Sequence, residues 1–280
     1  MTSIATLGSH CALQVLKGAK DEGFKTILIC EKKRERLYRR FKFIDRLILV
    51  DSFLEVSESK CESLLKENNS VLIPHGTLIA QMKQEQIESI QTPIFGNKHI
   101  LGWESDRLLK EQLMKEAKFD LPKSISSPKE IESLVIAKRH GAAGGKGYFL
   151  ASSEEEYNKK RDILIKQGLI LGDNDLYLQE YYSGVLAYLQ FFYSPLEKEI
   201  EFFGVDKRHE SDIDGLARIP AENQLKSSDV PSFNVIANSP LVLRESLLDN
   251  VYTMGENFVK ASAKLVPPGM NGPFCIEGVY

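Results

Sequence analysis

Short β-branched runs alternate with stretches of helical periodicity over the first hundred residues, and few folds accept this alternation. Strands joined by helices of such length form right-handed βαβ units and a parallel sheet. A helix is predicted to start directly after Gly8-Ser9, where its amino terminus can face an anion, and to end at Gly23. The predicted strands are residues 3–7, 25–30, 45–50, 70–74 and 93–95. The sequence therefore predicts a Rossmann-like parallel α/β domain at residues 1–104.

The pattern changes after residue 104, where shorter strands are interrupted by glycine-rich and charged loops. Such a pattern is typical of an α+β unit with antiparallel sheets. A helix from Ser153 to about Gly168 is predicted to pack across these strands. The predicted strands are residues 134–138, 147–151, 176–182, 186–194 and 200–206. The fold class is thus α/β and α+β, with a second domain at 105–280.

Charge and hydropathy exclude several classes of protein. The 36 basic and 39 acidic side chains leave a net charge of −3, whereas nucleic-acid binders carry a basic excess or a basic face. No apolar run approaches the ~20 residues of a membrane-spanning helix, and the amino end lacks the pattern of a signal peptide. We therefore expect a cytoplasmic protein with neither nucleic acid nor membrane as partner.

The cysteines do not point to a metal or a disulfide. Cys11, Cys30, Cys61 and Cys275 lie far apart, with no CxxC motif. Free cysteine behaves as a small buried hydrophobe, so all four are predicted to be structural thiols.

A phosphate-binding pattern begins at Lys138, on a predicted strand, and continues through the loop Gly141-Ala-Ala-Gly-Gly-Lys-Gly147. Glycines let backbone N–H groups approach phosphate oxygens, and a lysine at each end offsets their charge. The loop is not a Walker A motif, because no Lys-Ser/Thr pair opens a helix. The alternative for this loop is a flexible hairpin turn.

The order of elements around this loop resembles the ATP-grasp fold. Arg107 on a helix is followed by the strand lysine, the glycine loop and the strand LYLQEYYSG, which contains Glu180. In ATP-grasp enzymes the backbone of the strand between two lobes holds the adenine, and the glycine loop closes over the phosphates. The resemblance implies a nucleotide-binding lobe at 105–184 and a carboxyl lobe at 185–280.

Longer segments narrow the resemblance to one family. From residue 3 to residue 280 the chain is similar to the archaeal formate-dependent ligases that formylate aminoimidazole carboxamide ribonucleotide (AICAR) to its formamido product (FAICAR). The segments include GSHCALQVLKGAKDEGFKT, VLIPHGT, GGKGYFLASS, DKRHESDIDGLARIPA and LVPPGMNGPFC. The resemblance implies IMP biosynthesis through a formyl phosphate intermediate, with ATP and Mg²⁺ (or Mn²⁺) as cofactors. It also implies a homo-oligomer, a trimer or a hexamer.

The resemblance implies an AICAR site near the amino terminus. Histidine titrates near neutral pH, so His10 is also the candidate to accept the proton of the attacking amine, against the alternative of a structural histidine. Thr77 stands where the family has a serine and keeps the hydroxyl. For His75 two alternatives remain, a role in the structure of the turn or a role in the site. The implied substrate-binding residues are His10, Thr77 and Asn238, with Gly8 and Ser9 beside them.

A second set of residues is implied on the ATP side. Lys138 and Lys146 are the catalytic candidates, because they can offset charge on the transferring phosphoryl group. Lys207 and Arg208 either clamp a phosphate as a pair of substrate-binding cations or form a solvated, salt-bridged loop, and Arg218 is a weaker candidate. The implied nucleotide-binding residues are Arg107, Lys138, Gly144, Gly145, Lys146, Gly147, Glu180, Tyr181, Tyr182 and Glu210.

Glu277 matches the first of two metal-binding acidic positions in the family. The family continues beyond Tyr280 with the second carboxylate, about twelve positions after the first, so we expect this chain to be incomplete. Two other functions stay open. One is an ATP-grasp ligase that joins a different carboxylate and amine, since a fold does not determine a substrate. The other is a catalytically silent nucleotide-binding subunit.

Overall fold

The computed structural model describes residues 2–140, 147–227 and 235–280. The chain forms two units, and each contains a segment from the late part of the sequence. The amino-terminal unit consists of Met1–Ser105 together with Val266–Gly272. The carboxyl-terminal unit consists of Asp106–Leu265 together with Pro273–Tyr280.

A four-stranded parallel sheet in the order β3-β2-β1-β4 forms the centre of the amino-terminal unit. Its strands are β1 (Ser3–Leu7), β2 (Lys25–Glu31), β3 (Arg46–Val50) and β4 (Ser70–Leu72). The predicted parallel arrangement is confirmed. In the fifth predicted strand, Ile94 forms an isolated parallel bridge to Leu72.

Helices cover this sheet on both faces. Ile27 and Ile29 of β2 pack in one apolar cluster, and Leu28 and Cys30 pack in another, because successive strand residues point to opposite faces. Burial on both faces explains why β2 is a continuous apolar run rather than an alternating one. The helices are α1 (Ala12–Asp21), α2 (Glu35–Tyr38), α3 (Ser59–Glu67), α4 (Gly76–Gln81), α5 (Gln84–Ser89) and α6 (Lys98–Ser105).

Residues 266–272 pack with the amino-terminal unit, although the sequence pattern assigned them to the second domain. The buried amide of Asn97 donates hydrogen bonds to the carbonyl oxygens of Val266, at 2.9 Å, and Gly269, at 3.1 Å. Gly272 has a φ of +90°, and a Cβ there would lie 2.6 Å from Cε1 of Phe95. These contacts tie a late segment to an early one, which sequence periodicity does not reveal.

The carboxyl-terminal unit contains two four-stranded sheets within its described residues. The first has the order β5-β8-β6-β7 and is antiparallel, as predicted; the second has the order β11-β10-β9-β12, with β10 antiparallel to β9 and β11. The strands are β5 (Ser124–Ile125), β6 (Val135–Arg139), β7 (Phe149–Ala151), β8 (Leu176–Glu180), β9 (Leu186–Ser194), β10 (Glu199–Glu210), β11 (Val235–Leu241) and β12 (Gly272–Val279).

Each of these sheets has its own apolar core. Tyr157 of α8 is fully buried against the first sheet, and Ser153 caps this helix where the sequence predicted its start. Phe191 of β9 stacks on Phe274 of β12 beneath α11, with ring centroids 5.1 Å apart. The helices are α7 (Arg107–Glu116), α8 (Glu154–Lys166), α9 (Ser211–Leu216), α10 (Ala221–Gln224) and α11 (Leu248–Leu265).

Two further sequence predictions bear on the fold. Across the described ranges, no helix is both long and apolar enough to span a bilayer. Cys30 and Cys61 are buried, as predicted, and burial raises the pKa of each thiol to about 11. Cys11 and Cys275 are exposed, so the prediction of a buried thiol is wrong for these two.

Candidate active site

The turn Gly8-Ser9-His10 follows the carboxyl end of β1. Gly8 donates its N–H to the carbonyl oxygen of Ile29 at 2.7 Å, and a Cβ at Gly8 would lie 3.0 Å from the ring of Tyr38. His10 has a φ of +44°, which is uncommon for a residue other than glycine. Helix α1 begins only at Ala12, so the turn is longer than the sequence predicted.

Arg34 contacts this turn, although the sequence pattern did not indicate it. Nη1 of Arg34 donates to the carbonyl oxygen of Gly8 at 3.3 Å and to Oγ of Ser9 at 3.2 Å. Arg34 belongs to a charged run, residues 31–36, that has no periodicity. Only its place just after β2 could have indicated that it reaches the end of β1.

His75 and Thr77 lie on the segment that follows β4. Nε2 of His75 is 3.0 Å from the carbonyl oxygen of Leu7, and Nδ1 of His75 accepts the N–H of Thr77 at 3.3 Å, which caps α4. The ring centroids of His75 and His10 are 5.9 Å apart. Burial lowers the pKa of His75, and His10 acts in the same direction, whereas the hydrogen bond to Leu7 opposes them.

The Thr77 hydroxyl is a buried polar group. Thr77 is buried, and its Oγ1 has no hydrogen-bond partner among the described residues. A buried hydroxyl without a partner is unfavourable, so a bound group that pairs with it gains free energy. The structure brings His10, His75 and Thr77 together at the carboxyl ends of the parallel strands, where open α/β sheets bind ligands.

Arg107 and Lys138 belong to the carboxyl-terminal unit. Nε of Arg107 donates to the carbonyl oxygen of Arg139 at 2.9 Å, and Nη2 donates to the Tyr148 hydroxyl at 2.7 Å. Desolvation lowers the pKa of Lys138, and the charge of Arg107 adds to that effect, while the Glu277 carboxylate opposes it. Lys138 is thus a half-buried amine between a cation and a carboxylate.

Three of the predicted loop residues, Gly144, Gly145 and Lys146, lie outside the described residues. Gly147 has a φ of +82°, and a Cβ there would lie 2.7 Å from Cδ of Arg139. Glycine therefore suits the end of this loop both in conformation and in space.

The strand predicted to hold adenine is shorter than expected. Strand β8 ends at Glu180, whose N–H donates to the carbonyl oxygen of Lys123, and Tyr181 donates its N–H to the carbonyl oxygen of Leu134. Tyr182 follows as an exposed residue. The predicted nucleotide segment thus leaves the sheet at residues 181–182.

One face of the second sheet carries a linked set of polar side chains. The Tyr188 hydroxyl donates to Oε1 of Glu277 at 3.0 Å, and the guanidinium carbon of Arg208 lies 3.8 Å from the centroid of the Tyr188 ring. Burial raises the pKa of Glu210, as do the carboxylates of Asp214 and Glu277. Glu210 and Glu277 therefore share one region of negative charge, with Arg208 beside it.

The two adjacent cations, Lys207 and Arg208, are neighbours on one strand. Lys207 and Arg208 lie within β10, not in a loop, and successive strand side chains point to opposite faces. Lys207 is exposed, while Arg208 stacks on Tyr188. Asn238 lies opposite Arg208 on β11, and hence in the carboxyl-terminal unit. Arg218 is exposed beyond the end of α9.

In the described part of the chain, no group of three or more His, Cys, Asp or Glu side chains is arranged to hold a metal ion. Glu277 is the predicted ligand, and Glu210 is a carboxylate whose pKa it raises. Tyr188 was not predicted as part of this site, because the apolar pattern of residues 186–194 indicates only a core strand.

Two family models match the chain. One, described as a protein of unknown function (DUF1246), covers residues 4–125, and the other, a domain of unknown function (DUF1297), covers residues 156–280. A relative from Nitrosopumilus maritimus, named 5-formaminoimidazole-4-carboxamide-1-(beta)-D-ribofuranosyl 5'-monophosphate synthetase, is 71% identical over 100% of this chain and 82% of its own. The protein of the same name from Methanocaldococcus jannaschii is 47% identical over 99% of this chain and 78% of its own.

Solved structures show the same fold. The IMP biosynthesis protein PurP from Thermococcus kodakaraensis has a TM-score of 0.78 at 28% identity and covers 99% of this chain and 80% of its own. The N5-carboxyaminoimidazole synthetase from Staphylococcus aureus has a TM-score of 0.65 at 13% identity, over 99% of this chain and 65% of its own. Together with the sheets described above, these likenesses define the ATP-grasp class of fold. Within that class, the chain belongs to the family of 5-formaminoimidazole-4-carboxamide ribonucleotide (FAICAR) synthetases.

Proposed function

We propose that this protein is the ATP-dependent ligase that formylates AICAR with formate, giving FAICAR, ADP and phosphate in IMP biosynthesis. The observation that carries the proposal is 71% identity over the whole chain to a relative named as the synthetase of that product. The likeness to an IMP biosynthesis protein supports the same pathway. We further propose a cytoplasmic location and assembly as a homotrimer or hexamer.

The reaction divides into two steps. Formate does not acylate an amine directly, because its carboxylate oxygen is a poor leaving group. An oxygen of formate first takes the γ-phosphoryl group of ATP, which forms formyl phosphate and releases ADP. The 5-amino nitrogen of AICAR then attacks the formyl carbon, phosphate leaves and the nitrogen loses a proton.

On the carboxyl-terminal unit, Lys138 has the properties that the phosphoryl transfer needs. Its amine is half-buried on β6 beside Arg107, so its charge acts in a region where water screens it poorly. A cation held in place before the reaction stabilises the charge on the transferring group without reorganisation. In this proposal, Lys146, Gly144 and Gly145 of the glycine loop also offset charge on the transferring phosphoryl group.

Mg²⁺, or Mn²⁺, is the expected cofactor, and the residues fit it in charge. Glu277 and Glu210 lie close enough that the Glu277 carboxylate helps to raise the pKa of Glu210, so a divalent cation there relieves like-charge repulsion. Oxygen ligands of this kind are those that Mg²⁺ prefers. When bound, the ion offsets charge on the phosphate oxygens.

The amino-terminal unit supplies the proposed acceptor contacts. His10 and Thr77 lie near its strand ends, and the Thr77 hydroxyl, unpaired within the described ranges, can bond to a polar group of AICAR. Gly8 and Ser9 form the turn beside them. Asn238 is a further proposed AICAR contact. His10 is the proposed acceptor of the amine proton.

The test is a turnover assay on the full-length protein, which measures ADP release with formate and AICAR supplied together or singly. We expect ADP release to require both, and mass spectrometry to detect FAICAR. ADP release with formate and another amine, but without AICAR, would replace this proposal with an ATP-grasp ligase of different specificity.

A further inference from the structure

The His75 ring joins two backbone segments of the amino-terminal unit. One nitrogen contacts the carbonyl oxygen of Leu7 and therefore carries a proton, and the other accepts the N–H of Thr77. A neutral imidazole has one N–H and one lone pair, and these two contacts use both. The ring is accordingly held as the neutral Nε2–H tautomer.

Both segments lead directly to proposed AICAR contacts. Leu7 ends β1 and is followed by the turn that contains His10, while Thr77 carries a hydroxyl that no described residue pairs. The His10 ring also lies near the His75 ring, tilted by 49° with 5.9 Å between centroids. A Cβ at Gly76 would lie 3.8 Å from Nε2 of His10, so the two segments approach closely.

We propose that His75 is a positioning residue for AICAR, and that its neutral Nε2–H tautomer sets the distance between His10 and the Thr77 hydroxyl. This inference rests on the proposed function and adds to it a residue and a protonation state. Protonation places a hydrogen on Nδ1, which then cannot accept the Thr77 N–H, and adds positive charge next to His10. Arg34 is a further charged side chain that contacts this turn.

Two substitutions separate the two contacts of the ring. In His75→Asn, the amide oxygen replaces Nδ1 and can still cap α4, but the side chain is too short to reach Leu7. In His75→Gln, the amide nitrogen replaces Nε2 and can still donate to Leu7, but the cap is lost. Neither side chain titrates. The control is His99→Asn, because His99 is an exposed histidine of the same unit.

The measurement is the Kd for AICAR by calorimetry, on full-length wild type and variants, between about pH 5 and pH 8. At the upper end we expect both His75 variants to bind AICAR about tenfold more weakly, with unchanged affinity for ATP. The ratio of variant to wild-type Kd should fall toward one as the pH falls, because wild-type His75 then becomes protonated. The AICAR phosphate and Arg34 are common to every measurement, and His99→Asn reports the pH dependence of binding that does not come from His75.

The possible failures are distinct. If the His75 variants lower the melting temperature but keep the wild-type Kd at every pH, His75 is structural and the positioning role is wrong. A pH-independent ratio would overturn the role of the neutral tautomer. If wild type does not bind AICAR at all, the proposed function fails, and the role of His75 in it fails as well.

Discussion

The two units hold their candidate residues in different ways. In the amino-terminal unit, His75 and Arg34 bond to backbone oxygens at the end of β1, so hydrogen-bond geometry positions the groups. In the carboxyl-terminal unit, the charge of Glu277 shifts the pKa of both Lys138 and Glu210. A small change of shape should therefore damage the first site most, and a change of charge should damage the second.

The largest effect is expected from removing a charge in the carboxyl-terminal unit. Lys138→Met keeps much of the length of the side chain but removes the cation that we propose to act on the phosphates. We expect formate-dependent ADP release to fall by about 10³-fold, the upper range for losing one electrostatic contact to a transition state. Lys166→Met, at the exposed end of α8, is the control and should keep full activity. Equal activity of the two variants would contradict a catalytic role for Lys138.

A change of shape should have the next largest effect, in the amino-terminal unit. In Gly8→Ala, the new Cβ would lie 3.0 Å from the Tyr38 ring and 3.3 Å from the carbonyl oxygen of Ile29. We expect the free energy of unfolding to drop by about 1–3 kcal/mol, with weaker AICAR binding. Gly18→Ala is the matched control, because its Cβ would meet no described atom within 4 Å on an exposed helix face.

Gly18→Ala should raise the free energy of unfolding by up to about 1 kcal/mol, because alanine favours the helix. Urea denaturation of both variants measures the difference. If Gly8→Ala is as stable as Gly18→Ala and binds AICAR normally, the turn tolerates a side chain and is not shaped by Tyr38.

A smaller effect is expected from loosening one carboxylate. Tyr188→Phe removes the hydroxyl that donates to Glu277 at 3.0 Å but keeps the ring under Arg208. We expect the affinity for Mn²⁺ in the presence of ATP to fall about tenfold, because groups that hold a metal ligand in place contribute to metal affinity. Electron paramagnetic resonance measures free Mn²⁺, and Tyr193→Phe on the same strand is the control. Unchanged affinity would show that Glu277 needs no support from Tyr188.

The fold is predictable from the sequence where one local rule decides the structure. Strand β2 of the amino-terminal unit is a continuous apolar run because both faces of the sheet are buried there, and such a run can be read directly from the sequence. Strand β11 was not predicted, because Asn238, Ser239 and Pro240 interrupt any β-propensity there. Its pairing to β10 depends on a neighbour far along the chain, which periodicity does not show.

The site was predicted less completely than the fold, for the same reason. A phosphate clamp is one of the two alternatives predicted for Lys207 and Arg208, and the alternation of strand side chains points the two to opposite faces. Tyr188 and Glu277 are 89 positions apart and share a hydrogen bond, and no spacing rule connects them. Arg34 reaches Gly8 across the sheet in the same way.

The smallest effect concerns pH, which should act on the two units in different ranges. Burial lowers the pKa of His75 from its ordinary 6.5, so the amino-terminal unit should lose stability as the pH falls below about 6.5 and the unfolded chain takes up a proton. In the carboxyl-terminal unit, hydrogen bonds from Lys160 and Ser152 lower the pKa of Glu156 from 4.5 to about 2. The stability from Glu156 is complete above about 4.5 and is lost as the pH falls toward 2.

Because Glu156 is partly exposed and screened by water, its contribution should be only about 1 kcal/mol. Thermal denaturation of Glu156→Gln measures this contribution, and the exposed neighbour Glu155→Gln is the control. Only Glu156→Gln should have a lower melting temperature than wild type above pH 4.5, and its melting temperature should converge with that of wild type in stronger acid. His75→Asn should remove the pH dependence of stability only in the higher range, near pH 6.5, because asparagine does not titrate. If one substitution removed the pH dependence in both ranges, the two units would not respond to pH separately.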